Sequence, residues 1–156
     1  MKLKRILPVL AGIFVLMQVV RIDKFNPPVD PGIDFTTIAQ APAEIRALIK
    51  DACYDCHSHQ TQYPWYSNVA PVSWWIKNHV NEGLEHFNFN TLGALDSEEL
   101  DEALNSAAEA VEEHEMPLSS YTWVHPKARL SDDQRLLLAA WLANYSKKAE
   151  RYGVGE

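Results

Sequence analysis

DACYDCHSHQTQYPWYSNVAPVSWW, residues 51–75, carries both cysteines of the 156-residue chain, two of its six histidines and three of its five tryptophans. Cys53 and Cys56 stand three positions apart, with His57 directly behind the second. An apolar stripe leads up to them. After Pro42, a favoured residue at a helix start, Ile45, Leu48, Ile49, Ala52 and Cys53 keep the i, i+3, i+4, i+7, i+8 spacing of one helix face. Downstream, Pro71 to about His86 predicts a second helix, with Trp74, Trp75, Asn78 and His79 near one side. A third is predicted from Ser97 to Glu113, opened by an Asp96/Glu99 capping box and buried through Leu100, Leu104, Ala107, Ala108 and Val111. A last helix starts at a Ser131/Gln134 capping box, with Asp132 and Asp133 in its first turn and Lys147 and Lys148 at its end, as the helix dipole favours. Leu137, Ala140, Trp141 and Asn144 would share its inner face. No stretch alternates with period two, so the expected fold class is all-α.

The segment before this domain is of a different material. Lys2, Lys4 and Arg5 precede an uncharged run from Ile6 to Val20, the charge order of an export signal. Fifteen helical residues reach only ~22 Å against ~30 Å of hydrocarbon, so a span must borrow Leu3 and Ile22. Gln18, Val19, Val20 and Arg21 offer no small-x-small cleavage site, which favours an uncleaved anchor over a removed signal. Its basic end would face the cytoplasm and the rest the extracytoplasmic, periplasmic side. Residues 1–22 are thus expected as signal anchor or signal peptide, 23–41, with three prolines, as a Pro-rich tether, and 42–150 as the folded domain. Subtracting the four bases of the first 21 residues from the 14 Lys and Arg leaves ten against 21 acidic residues, a net charge of −11. Such a surface repels nucleic acid and anionic lipid headgroups and favours a partner with a basic face. Nine of the carboxylates fall between Asp96 and Glu115 with no Lys or Arg among them, a solvated helix face or a docking patch.

Four chemistries compete for Cys53, Cys56 and His57. A disulfide across two residues closes so small a loop that it removes little entropy from the unfolded chain. A redox pair is expected beside a βαβ pattern, which is missing. Zinc could take both thiolates with two of His57, His59 and His79, although structural sites usually offer two tight ligand pairs. In covalent haem attachment the two sulfurs form thioethers and the adjoining histidine ligates iron. The surrounding aromatic residues Tyr63, Trp65, Tyr66, Trp74 and Trp75, and the export signal, favour the last. Trp65, Trp74, Trp75, Trp123 and Trp141 are expected in the core, around the macrocycle.

For the distal side of an iron, the exported part holds one thioether, Met116, on an irregular segment ahead of the last helix. Its position on a loop, followed by Pro117, distinguishes it from core filler and makes it the first candidate. His79 is the weaker candidate, followed by His114 and His125, and an open position is the remaining option.

CYDCHSHQTQYPWYSNVAPVSWWIKNHVNEG, followed by MPLSSYTWVHPKARLSDDQRLLLAAWL, resembles the bacterial haem-binding domain family, small exported proteins with CxxCHS, YPWY…APVSWW…HV and a late MP…Y…HPxAxLS block. The resemblance covers roughly residues 36 to 145. It implies a cytochrome c-like helical domain around one haem c, with Cys53 and Cys56 as attachment points, His57 as proximal ligand and Met116 as distal ligand. Two departures are Leu84, where a basic residue is expected, and FNFNTL at residues 87–92.

A histidine–methionine pair would saturate the metal and leave one-electron transfer to a redox partner as the function. A haem-based sensor or gas-binding module with a labile or open distal position is the alternative. A peroxidase would need an acid–base group that no spacing here singles out, so an electron carrier is favoured over an enzyme.

Overall fold

The computed structural model describes residues 3–152, with side chains for residues 6–145, and within them the chain is all-α. Helix α1 covers Leu3–Met17, the one-turn α2 Phe35–Ile38, α3 Ala43–Ala52 and the one-turn α4 Tyr54–His57. Next come α5 (Val72–His86), α6 (Ser97–Glu112), α7 (Ser119–Val124) and α8 (Asp132–Tyr152). Short 3-10 turns lie at Trp65–Asn68, Leu92–Ala94 and Pro126–Ala128.

The sequence signals explain the main elements. Helix α3 buries Ile45, Leu48, Ile49 and Ala52, the expected stripe. Helix α6 carries its capping box: Asp96 accepts from the Glu98 and Glu99 N–H groups, while Glu99 reaches back to the Asp96 N–H. At α8, Ser131 N–H donates to Gln134 Oε1 at 2.9 Å and Gln134 N–H to Ser131 Oγ at 3.3 Å. Helices α6 and α8 pack together along their length, with α3 against α8. One core results, built on Phe35, Ile49, Leu104, Leu138 and Leu142, all at most 2% exposed.

Three expectations are corrected. The inner face of α8 is Leu138, Ala139 and Leu142, not Leu137 and Ala140, which are exposed. Because Leu136, Leu137 and Leu138 run consecutively, periodicity alone could not choose among them. The tryptophans are not a core cluster. Only Trp141 packs against the core, whereas Trp65, Trp75 and Trp123 are 78%, 50% and 80% exposed, because aliphatic side chains of α3, α6 and α8 already fill the interior. Nor is the stretch 23–41 a tether throughout. Its last part forms α2, capped by Asp34, and Phe35 is fully buried between Trp141, Tyr145 and Phe89, with ring centroids 5.7, 4.9 and 6.3 Å away.

The residues just before that stretch, and its Lys24, are fastened as well. The Gln18 side chain donates to Ala70 O (3.1 Å) and accepts from Ala70 N–H (2.9 Å). Arg21 donates to Asn68 O, Lys24 to Ser67 Oγ and Asn68 Oδ1, and Trp74 Nε1–H to Val20 O. Among the described residues no helix is long and apolar enough to cross a membrane. Helix α1 is 15 residues long, and its large apolar side chains from Ile6 to Leu16 are exposed on every side.

Candidate functional site

Helix α3 ends where the motif begins. Cys53 caps it, its N–H donating to Ile49 O, and the His57 N–H donates to Cys53 O at 2.9 Å, so CxxCH is itself a helical turn, α4. Spacing of three places the two sulfurs about one turn apart, with the imidazole next to the second.

The histidine is aimed by residues far away in the chain. Its Nδ1 lies 3.0 Å from Gly83 O and 2.9 Å from Phe87 O. Carbonyls only accept, so Nδ1 carries the proton and the Nε2 lone pair is left for a metal. Burial holds the ring below the ordinary imidazole range, the two carbonyl bonds oppose that, and nearby His86 adds to it. Helix α5 comes close enough to supply its carbonyl because residue 83 is glycine: a Cβ there would sit 2.5 Å from Cys56 O.

FNFN, residues 87–90, is the other half of the cradle. Phe89 N–H donates to His57 O and Phe35 N–H to Phe89 O. Asn90, 1% exposed, accepts from His59 N–H at 2.7 Å and donates to Asp34 Oδ2 at 2.6 Å. Asp34, Gly83, Phe87 and Asn90 thus position His57. No local signal marked them, since their partners lie 26 to 56 residues away.

Cys53, His57 and Met116 line one cavity of about 520 Å³, which falls within the ~300–1,000 Å³ of small-molecule and cofactor sites. Its walls are mainly apolar. Ala103, Ala107 and Ala110 present small side chains from one side of α6, and Leu138 and Leu142 contribute from α8. At its polar edge stand Glu99, Glu102, His86 and Ser106. Met116 is half-buried on the α6–α7 loop. Its N–H donates to Ala110 O, and its carbonyl accepts from Arg135 Nη1, which also donates to Val111 O at 3.0 Å.

Cys56 borders a second, smaller pocket with His79, Tyr66 and Tyr121. His79, the weaker distal candidate, is therefore not brought to the cavity of His57, and its Nδ1–H is given to Trp75 O. His125 is engaged at both nitrogens, by Tyr121 O and the Tyr66 hydroxyl, and His114 is exposed beside Asp132.

Both cysteines are free thiols. Burial, and then the neighbouring Cys56, push Cys53 up to about 12; burial and Asp55 push Cys56 to about 11. Redox-active pairs need the reverse, a stabilised thiolate. Among the described residues no group of three or more His, Cys, Asp and Glu side chains could hold a metal ion. An imidazole with a free Nε2, a thiol and a thioether around an apolar cavity fit a planar, iron-bearing macrocycle.

A family model, "Haem-binding domain", matches residues 12–144. No curated protein and no solved structure matches the chain.

Proposed function

The chain belongs to the haem-binding domain family, and on that premise we propose that it is a monohaem, cytochrome c-like electron carrier at the extracytoplasmic face of a membrane. The observation that carries this reading is the double carbonyl hold on His57 Nδ1, which leaves Nε2 as a pre-oriented ligand in a cavity shared with Cys53 and Met116. Bound there, haem c supplies a one-electron redox couple, whose potential a histidine–methionine ligand pair raises.

The chain's own residues divide the remaining work. His57 Nε2 and the Met116 thioether would hold the iron, and the sulfurs of Cys53 and Cys56 would hold the macrocycle. The alanines of α6 leave room for a flat body. His86 and Ser106 can donate to its carboxylates, whereas Glu99 and Glu102 repel them. Those two glutamates continue the acidic surface of α6, which steers a redox partner with a basic face toward the cavity edge. Helix α1, basic at its start and exposed along its apolar length, holds the domain at the membrane as anchor or signal.

The test is a pyridine haemochrome spectrum of the full chain made in a host competent for cytochrome c maturation. Two thioether linkages are expected, and a colourless protein or one that gives up its haem to acidic solvent overturns the proposal. The reduced protein mixed with carbon monoxide then separates the alternatives. Resistance fits a saturated iron, and rapid stoichiometric binding assigns the chain to gas sensing instead.

A further inference from the structure

Every route from α1 into the domain is short and fastened. Helix α1 ends at Met17, and the next residue, Gln18, already pairs with both the N–H and the carbonyl of Ala70. Val20, Arg21 and Lys24 are bonded to Trp74, Asn68 and Ser67 in turn. There is no slack between the apolar helix and the segment 64–75. That segment, next to α1, exposes three large apolar side chains, Trp65 at 78%, Val72 at 43% and Trp75 at 50%, while Phe25, Trp123, Val124, Leu136 and Leu137 are exposed elsewhere.

Charge singles out the same region. From Thr61 to Asn81 there is no aspartate or glutamate, in a chain holding 21. Lys77 lies within this stretch, and Arg21 and Lys24 are tied to it. This part of the chain therefore lacks the acidic residues that would repel lipid phosphates.

We infer that the exposed side chains of Trp65, Val72 and Trp75 seat in the headgroup layer of the lipid bilayer, fixing the orientation of the haem domain on the membrane. The inference rests on reading α1 as membrane-inserted. Fifteen helical residues span ~22 Å, about 8 Å less than the hydrocarbon core, so the mismatch draws the segment next to the helix into the interface. That segment leads directly into a domain with indoles turned outward, and indole, with an apolar body and one N–H donor, prefers that layer.

The unmodified full chain, reconstituted in phosphatidylcholine vesicles carrying a diazirine at the glycerol level, tests this. After flotation and illumination, lipid adducts are mapped by peptide mass spectrometry. The expected result is adducts on α1 and, at least roughly threefold above the peptide spanning residues 131–145, on the peptide spanning 64–75. Trp65→Gln combined with Trp75→Gln should remove the second set and leave the first. Adducts confined to α1 overturn the inference while the anchor reading stands. Adducts spread evenly over the domain also overturn it, because no face is then preferred. A chain that does not float with the vesicles overturns both.

Discussion

Gly83→Ala is the sharpest probe of how the histidine is held. A Cβ at this position would lie 2.5 Å from Cys56 O, 3.0 Å from Cys56 C and 3.1 Å from Cys56 Cβ. Ordinary C···O contacts begin near ~3.3 Å, so α5 must retreat by about 0.8 Å from a backbone that cannot swing aside. The same retreat stretches the 3.0 Å bond from His57 Nδ1 to Gly83 O beyond hydrogen-bonding range, leaving only Phe87 O. Overpacking against backbone belongs at the upper end of the ~1–3 kcal/mol range, and the weakened hydrogen bond adds ~1 kcal/mol. Alanine's better helix propensity returns ~1 kcal/mol. The net is a loss of roughly 2–3 kcal/mol, or a Tm lower by about 4–12 °C for a chain of this size. Thermal unfolding followed by circular dichroism reads it directly. Gly12→Ala, inside α1 where a Cβ meets nothing within 4 Å, is the control and should not lower the Tm. If Gly83→Ala melts at or above the parent temperature, the close approach of α5 to the CxxCH turn is not what orients His57.

Met116→Ala should keep the haem attached, lose the near-infrared band of methionine-ligated ferric haem and lower the reduction potential, and an unchanged spectrum removes Met116 from the ligand set. Ala107→Phe should fill the cavity beside α6 and reduce the haem-to-protein ratio of purified material at least ~3-fold without lowering the Tm of the haem-free chain, which tests whether the cavity is the cofactor's seat. Asn90→Leu leaves the His59 N–H and Asp34 Oδ2 unpaired, and at ~1–3 kcal/mol each should cost roughly 2–6 kcal/mol in urea unfolding; a loss under ~1 kcal/mol would refute its structural role. Replacing Cys53 and Cys56 together by alanine should abolish covalent haem, read as a protein mass equal to the polypeptide alone.

The sequence makes legible whatever is written in local spacing. The stripe of α3, the capping boxes of α6 and α8 and the CxxCH turn each depend on residues within about two helical turns, and each is present in the structure. Met116 stands out because it is the lone thioether after residue 17, and it does share a cavity with His57. The residues that aim the histidine escape notice for the opposite reason. Asp34 and Asn90 meet across 56 positions, and Gly83 matters only through a contact with Cys56 that no periodicity announces. The tryptophans mislead because bulk and aromaticity argue for burial wherever an interior lacks volume, and this interior is already filled by leucine, isoleucine and phenylalanine. The proline-rich stretch misleads in a similar way. Prolines mark an absence of helix, but an extended segment can still be bonded along its length, as residues 18–26 are.

Arg135 gives the methionine loop a mechanical owner. One guanidinium on α8 holds both the last turn of α6 at Val111 and the loop carbonyl at Met116. Lifting the first turns of α8 therefore drops two acceptors in a single event and leaves the methionine loop tied to α6 through the Met116 N–H to Ala110 O bond. The lifetime of the sulfur in its place is then a property of a cooperative unit of the protein, readable in the amide exchange of α6 and α8, and not of the short connection that carries it.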